Sequence, residues 1–366
     1  MWKKQFFTGK LRHGARRICP RYRRHGWPIL GAEIVALLAS ACFSQALTFT
    51  ENVAVGTYSS TIPLYYADTQ TLVDRLGELR LGLQTTGGET LDSMGPPEKK
   101  WQAWIRGFGG GLKVDNGASG NFDQDYGGFQ TGIDRNLGSL WGGNLHLGGF
   151  SGYIHSSRDF HDQSVSRTDV FSLGTYTTWL HPSGWYLDLV GKYSQMWNSF
   201  TARASGAAAS NGDYGIATFG GSIEVGKRVE LANHRFFIEP QLQLAGVWEN
   251  GVDYRTSDGL RVHGEQQTSL QGGLGGRIGM HFDFSKGRAV EPYVKGEVIE
   301  EFLTNNRIRT DSDNFTSHLS GTTAWAGAGL TLKAGRSIYL YSEYDYATGD
   351  HLELTWAMNV GFRLQW

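Results

Sequence analysis

The sequence predicts an all-β fold: a twelve-stranded antiparallel outer-membrane β-barrel with a short N-terminal helix plugging its lumen. Apolar and polar residues alternate in twelve segments after residue 100, and long and short connections alternate between those segments. Glycine supplies 51 of the 366 residues and aromatic residues 13%, whereas charged residues supply only 19%. No stretch of 18 apolar residues occurs, which excludes a helical multispan membrane protein. A barrel instead spreads its lipid-facing surface over alternating strands.

The first 46 residues have the pattern of a secretory signal peptide. Nine basic residues and no acid occur in the first 26, an apolar run covers 34–43, and a small-x-small cleavage site ends at Ala46. A basic arm that binds nucleic acid or anionic lipid is the alternative, but the apolar run favours export. Both cysteines, Cys19 and Cys42, precede the expected cleavage site. The exported chain is therefore expected to lack disulfides and thiolate metal sites.

A helix is predicted over residues 69–81, inside a segment (47–100) that also holds a short stub and a linker rich in Gly and Pro. Three leucines follow i, i+4, i+7 spacing, and Asp68 or Thr69 can cap the helix start. One interpretation is a helix that plugs the barrel lumen and pairs its charged face with the barrel wall. The other is an amphipathic helix packed on a soluble domain. The leucines are Leu72, Leu76 and Leu79, and the charged face carries Asp74, Arg75, Glu78 and Arg80.

The last strand shows the clearest alternation. Every second residue from Trp356 to Trp366 is apolar, and Arg363 lies between two of them. An arginine on the lipid face at the bilayer midplane costs roughly 2–4 kcal/mol, so Arg363 is expected to point into the lumen. Aromatic residues at the ends of the apolar faces, such as Trp185 and Trp248, suit interfacial girdles. The strands are predicted at 101–113, 122–136, 142–155, 167–180, 184–198, 214–228, 235–249, 266–284, 289–303, 318–333, 336–347 and 355–366.

The connections predict which barrel end faces the cell exterior. Those after the odd-numbered strands are mostly long and polar, whereas those after strands four, eight and ten are tight. Long loops on one side and short turns on the other are typical of outer-membrane barrels, with both barrel ends on the periplasmic side. Charged residues in the polar phase of the strands are the predicted lumen partners of the helix. They are Arg235, Glu239, Lys295, Glu301 and Arg363.

Short motifs in a fixed order add a family resemblance. They are the helix run at 72–80, Trp-Ile-Arg-Gly at 104–107, Pro-Tyr-Val-Lys at 292–295, the segment 341–350 and the C-terminal strand. Together with the helix, linker and twelve strands, they resemble the C-terminal translocator domain of bacterial autotransporters (type V secretion). The likeness covers about residues 65–366. The barrel domain is accordingly expected at 101–366.

The resemblance implies a translocator in the outer membrane of a Gram-negative bacterium, through which a chain threads before the helix closes the pore. Expected partners are outer-membrane lipid, the barrel-assembly machinery and periplasmic chaperones, and a monomer is expected. Only residues 47 to about 66 stand where the family carries its passenger, so the passenger is expected to be absent or reduced to a stub. The linker-helix Asn-Asn cleavage of the family is not expected, because no Asn occurs from 53 to 115. The implied C-terminal assembly signal is Val360, Phe362, Leu364 and Trp366.

No catalytic, cofactor-binding or metal site is predicted, and neither nucleic acid nor a small-molecule substrate is an expected partner. The sequence contains no G-x-S-x-G, H-E-x-x-H or Walker A lysine motif. Two other functions stay open: a porin-like or structural barrel, and a barrel protease or lipase with its site at the outer rim. Occupancy of the lumen by the helix separates the translocator from the porin.

Overall fold

The structure is a computed structural model, and the predicted signal peptide (1–46) and the linker at 85–100 lie outside its described residues. The side chains of residues 75, 78 and 80–84 also lie outside the description. The described residues are 49–84, 101–118, 121–160, 163–204, 208–231, 235–284, 287–303, 306–311, 313–335 and 337–366.

The described chain contains two helices followed by eighteen strands. Helix α1 covers residues 49–59 and α2 covers Thr61–Gln84. The strands are β1 (Trp101–Asp115), β2 (Asn121–Leu140), β3 (Gly143–Asp159), β4 (Val165–Leu180), β5 (Trp185–Ala202), β6 (Ser210–Lys227), β7 (Val229–Leu231), β8 (Phe236–Glu249), β9 (Val252–Arg255), β10 (Arg261–Gly264), β11 (Gln267–Met280), β12 (Phe282–Phe284), β13 (Arg288–Glu301), β14 (Asn306–Thr310), β15 (Asn314–Ser317), β16 (Gly321–Lys333), β17 (Ile338–Gly349) and β18 (Leu352–Gln365).

Twelve strands of the described chain form one closed antiparallel barrel, which confirms the predicted fold. Strands β1 to β6 pair in order, followed by β8, β11, β13, β16, β17 and β18, and β18 returns to β1. At this seam the backbones of Trp101 and Trp366 exchange two N–H···O bonds of 3.0 Å. The short strands β7 and β12 continue β6 and β11 at the short-turn end, where they pair with β8 and β13. Closure pairs the strand edges, as a lipid environment requires.

The two faces of the barrel wall differ as the alternation predicts. Along β18, Met358 and Val360 are exposed on the outer face, whereas Arg363 is 1% exposed and points inward. Trp185 and Trp248 are exposed at strand ends, where aromatic girdles meet the two membrane interfaces. Neither described helix contains an apolar segment long enough to cross a membrane.

Glycines on the lumen face lie opposite large aromatic rings. In each such pair the ring on the neighbouring strand fills the place where a glycine Cβ would stand; at Gly361, an added Cβ would come within 1.8 Å of Tyr341 Cζ. The high glycine content therefore accommodates rings inside a narrow, curved wall. The pairs are Gly132–Trp104, Gly148–Tyr176, Gly174–Phe150, Gly226–Tyr186, Gly279–Phe237, Gly329–Tyr293 and Gly361–Tyr341.

A small four-stranded sheet stands at the long-loop end, in the order β15-β14-β10-β9. The sequence predicted only polar loops at 250–265 and 304–317, and the structure corrects this. The four strands have four or five residues each, too few to show a clear alternation. On the exposed face of the sheet, Arg261 Nη2 donates to Asp253 Oδ2 at 2.6 Å. This hydrogen bond holds the pKa of Asp253 below its usual value.

The helical region is longer than the predicted 69–81, because α2 extends over Thr61–Gln84 and α1 precedes it. The expected stub is thus helical from residue 49 onward. α1 is buried on most of its circumference, so its sequence carries no apolar stripe. Two of its hydroxyls donate inside the helix: Thr57 Oγ1 to the Val53 carbonyl at 2.7 Å, and Ser59 Oγ to the Val55 carbonyl at 2.8 Å.

Candidate functional site

Helix α2 lies inside the barrel and runs from the long-loop end to the short-turn end. At its start, Thr61 Oγ1 donates to Glu249 Oε1 at 2.9 Å, at the long-loop end of β8. One turn further along, the hydroxyls of Tyr66 and Ser269 lie 2.8 Å apart. The helix ends at Gln84, and β1 begins at Trp101 on the short-turn side. The lumen is therefore the candidate site, and α2 occupies it.

The leucine stripe of α2 packs on one side of the lumen. Leu72, Leu76 and Leu79 are 0–2% exposed, as the predicted i, i+4, i+7 face requires. Burying a leucine side chain contributes about 1.5–3 kcal/mol. The stripe therefore fixes which face of α2 turns toward this wall. The wall residues in the same cluster come from β1, β3, β4 and β5: Trp104, Phe150, Tyr176, Leu180, Tyr186 and Val190.

Asp68 ties α2 to the same side of the lumen through a set of contacts termed the Asp68 clamp. Its carboxylate accepts hydrogen bonds from Lys192 Nζ at 2.8 Å, Gln130 Nε2 at 2.6 Å and Ser172 Oγ at 3.1 Å. Lys192 Nζ also donates to the Tyr65 carbonyl at 3.0 Å. The side chains of Lys192 and Asp68 are 0% and 1% exposed. Buried charges of opposite sign that are also hydrogen-bonded hold the helix in one position.

Asp74 ties α2 to the opposite wall, in contacts termed the Asp74 clamp. Asp74 Oδ1 lies 3.0 Å from Lys295 Nζ and 3.3 Å from Arg277 Nη2. The Lys295 ammonium also contacts Glu343 Oε1 at 2.6 Å and Asp345 Oδ1 at 3.0 Å. These partners stand on β11, β13 and β17. Six positions apart on the helix, Asp68 and Asp74 anchor it to two facing walls.

The carboxylates of the Asp74 clamp lie close enough together to suggest a cation site. The oxygens of Asp74, Glu343 and Asp345 lie within 4.8 Å of one another. The Lys295 ammonium, however, is within 3.0 Å of all three, and with Arg277 beside Asp74 it supplies positive charge to the cluster. The arrangement is a lysine-centred ion cluster, and its chemistry is electrostatic attachment of the helix.

Helix α1 lies buried next to the small sheet at the outer mouth. Val53, Ala54 and Val55 are at most 1% exposed. Tyr58 donates from its hydroxyl to the Glu265 carbonyl at 2.5 Å, and Thr310 Oγ1 donates to Glu51 Oε1 at 2.5 Å. α1 is thus held by the long loops and covers the outer end of α2.

Two of the predicted lumen residues reach α2. Lys295 contacts it directly through Asp74. Glu301 reaches it indirectly, because its carboxylate accepts a hydrogen bond from Ser269, whose hydroxyl contacts that of Tyr66.

The other wall residues predicted to pair with the helix have different surroundings. Arg363 is buried above the Tyr339 ring, 3.8 Å from its centroid, and Glu239 is 2% exposed and 3.8 Å from Arg228. Arg235 differs from the expectation, because it precedes β8 and is exposed. Its lumen position was predicted from the alternation of inward and outward residues, and that alternation begins only within β8.

The remaining predicted residues lie on α2 and β18. The side chains of Arg75, Glu78 and Arg80 fall outside the described part of the chain, so their pairing stays a prediction. The proposed C-terminal assembly signal lies on the lipid-facing side of the wall. Its residues Val360, Phe362, Leu364 and Trp366 are each at least 37% exposed.

Asp68 and Lys192 are among the functional residues that the sequence reasoning missed, as are Arg277 and Glu343 of the Asp74 clamp. Asp68 was considered only as a helix cap, yet it precedes Leu72 by four residues and lies on the same stripe. A carboxylate within an apolar stripe signals a buried cationic partner, because a buried charge is otherwise very costly. Lys192 was in the polar phase of its strand, and nothing local distinguished it from the other lumen residues.

Comparison with known proteins adds a family to this geometry. The autotransporter beta-domain family matches residues 103–345. Pertactin autotransporter of Bordetella bronchiseptica is 36% identical over 303 residues, which cover 83% of this chain and 31% of that protein. BrkA autotransporter of Bordetella pertussis is 31% identical over 323 residues, covering 87% and 30%. The chain therefore spans about a third of the length of these relatives.

Solved structures share the barrel. The beta domain of the Bordetella autotransporter BrkA superposes with a TM-score of 0.62 at 27% identity, covering 73% of this chain and 99% of that domain. The translocator domain of NalP from Neisseria meningitidis superposes with a TM-score of 0.57 at 17% identity, covering 81% and 97%. The second likeness concerns the fold alone.

Proposed function

The chain belongs to the autotransporter family, and from this premise we propose how its lumen works. The barrel is a type V translocator in the outer membrane of a Gram-negative bacterium. In the proposal, the short N-terminal stub crosses through the lumen to the outer mouth, where α1 stays, and α2 then closes the pore. One observation carries this proposal: α2 lies in the lumen, tied by Asp68 and Asp74 to facing walls.

The proposed mechanism is physical, and we assign no catalytic step to this chain. The direction of α2 supports transport outward, because its N-terminal end and the preceding α1 lie at the long-loop end. A porin-like function is less well supported, because a porin conducts through an open lumen. Here the leucine stripe and two buried ion clusters hold a helix in that space.

The proposed partners follow from the two surfaces of the barrel. Lipid covers the outer apolar face, and the lipid-facing C-terminal residues are proposed to be read by the barrel-assembly machinery after delivery by periplasmic chaperones. The closed ring of strands leaves no open edge for a second copy, so we propose a monomer. The proposed cargo is no more than the stub at residues 47 to about 66, which contains α1.

An epitope tag inserted immediately before residue 49 is expected to reach the cell surface. Protease added to intact cells should then remove it, since α2 places this part of the chain at the outer mouth. The measurement is loss of the tag on immunoblots of shaved cells.

The matched control carries the same tag after Ser183, in the tight turn between β4 and β5. That tag should stay protected until the outer membrane is opened. Protection of the tag before residue 49, with the barrel folded, would contradict the proposed direction of transport.

A further inference from the structure

The lumen wall is unequally covered by α2. On β4 the inward-facing Ser166, Thr168 and Val170 are 0–2% exposed. On β16, by contrast, the inward-facing Thr323 and Trp325 are only half-buried, as are the inward-facing glycines of that strand. Solvent therefore reaches one side of the lumen while the helix is in place.

Three cavities in succession account for this exposure. The first, about 50 Å³, lies between Pro63 and Tyr66 of α2 and the wall residues Glu301 and Thr323. The second, also about 50 Å³, shares Tyr66 and Thr323 with the first and continues to Gln70. A cavity of this size holds water, for which about 10–15 Å³ suffices when polar partners are present.

The third cavity extends to the Asp74 clamp. It measures about 20 Å³, shares Gln70 with the second cavity and is lined by Asp74 and Asp345. Successive cavities have lining residues in common, so together they follow one face of α2 from the outer mouth to the ion cluster. At the outer mouth, His351 and Leu352 line the first cavity and are half-buried.

The residue types on α2 and on β16 explain why cavities exist between these two elements. The leucine stripe and the Asp68 clamp hold α2 against β1–β5, on the far side of the lumen. On β16, Gly321 lines the first cavity, and on α2 the small side chain of Ala67 lines the second and third cavities. Small side chains on both surfaces leave a gap that the helix backbone cannot fill.

We infer that α2 plugs the barrel from one side, and that a polar groove along β16 admits water and small cations from the outer mouth as far as Asp74 and Asp345. This β16 groove rests on the proposed plug, because it exists only with α2 in place. The groove has a carboxylate near its outer opening, Glu301. At its floor, Asp74 and Asp345 belong to a cluster in which three carboxylates face two cations, Lys295 and Arg277. That distribution favours cations over anions of the same size.

Thiol labelling tests the groove. Thr323→Cys places a thiol in the groove, and Thr168→Cys places a matched thiol on the covered wall, near the outer end of β4. Both are made in the full chain with Cys19→Ala and Cys42→Ala. The probes are a trimethylammonium-bearing methanethiosulfonate and its sulfonate-bearing counterpart, with the mass shift followed over time.

The expected result is that Thr323→Cys reacts with the cationic probe at least about tenfold faster than Thr168→Cys, because reaction needs a solvated thiolate. After each rate is divided by that probe's rate with a free thiol in solution, the anionic probe should react more slowly at Thr323→Cys than the cationic one. Slow reaction at both positions would overturn the groove and leave the plug intact. Fast reaction at both would mean that α2 does not occupy the lumen, which overturns the proposed function as well. Equal rates for the two probes would overturn the cation preference.

Discussion

Replacing Lys295 by methionine is expected to lower the free energy of unfolding by about 3–5 kcal/mol, because it removes the cation from a buried ion cluster. The ammonium contacts Asp74, Glu343 and Asp345, and methionine leaves these carboxylates without it. Arg277 remains 3.3 Å from Asp74 and offsets part of the loss. The measurement is urea unfolding of the protein refolded in lipid vesicles, followed by tryptophan fluorescence.

Lys113→Met is the control for this substitution. Lys113 stands at the outer end of β1, with its side chain 56% exposed and its Nζ 3.8 Å from Glu353. An exposed pair of this kind contributes about 0–1 kcal/mol. If Lys295→Met were no more destabilising than Lys113→Met, the cluster would not hold the structure together as described.

Breaking the contact between Lys192 and Asp68 is expected to free α2 from the lumen. Lys192→Met leaves the buried Asp68 carboxylate with only Gln130 and Ser172 as donors among the described contacts of the clamp. If the free energy that favours the plugged state falls by about 3 kcal/mol, the ratio of open to plugged time rises roughly 100-fold. This ratio is read from single-channel recordings. Asp68→Asn should also raise the open-to-plugged ratio. The double variant should raise it only slightly more than either single variant, which corresponds to an interaction energy of about 1–3 kcal/mol between the two residues.

An ion pair outside the lumen supplies the control for this cycle. Arg261 and Asp253 form a bidentate ion pair on the exposed face of the small sheet, and both side chains are about half exposed. Asp253→Asn with Arg261→Met should leave the open-to-plugged ratio unchanged, because neither side chain touches α2 in the described contacts. Additive effects of Lys192→Met and Asp68→Asn would mean that these residues do not act through one contact.

Strand positions could be predicted from the sequence because each barrel strand has two chemically different environments. Lipid on one side and a polar lumen on the other impose a period of two over more than ten residues, as from Trp356 to Trp366. The same reasoning correctly placed Arg363 inside the barrel. The strands β9, β10, β14 and β15 escaped it, because they are short and lie above the membrane.

The helices were only partly predictable for a related reason. Leu72, Leu76 and Leu79 form a stripe because α2 packs on one apolar wall. α1 is covered on most sides, so Val53, Thr57 and Ser59 are all buried and no periodic face arises. Helix formation there depends on tertiary packing rather than on an amphipathic pattern.

The lumen contacts were the least predictable part. The sequence identified Lys295 as a lumen residue but could not choose Asp74 as its partner over other acids. Such a choice depends on how far the barrel strands are staggered, which brings β11, β13 and β17 to one height. The distance between two residues across a lumen is not encoded in either strand alone.

Single-channel conductance in a planar bilayer tests the central claim most directly, by comparing the signal-free chain with a version that begins at Trp101. The second version keeps all twelve described barrel strands and lacks α1 and α2. The account predicts a low conductance for the first, because α2 fills the lumen below the floor of the β16 groove, and a large, steady conductance for the second. Equal and large conductance in both versions would contradict a helix that closes the pore.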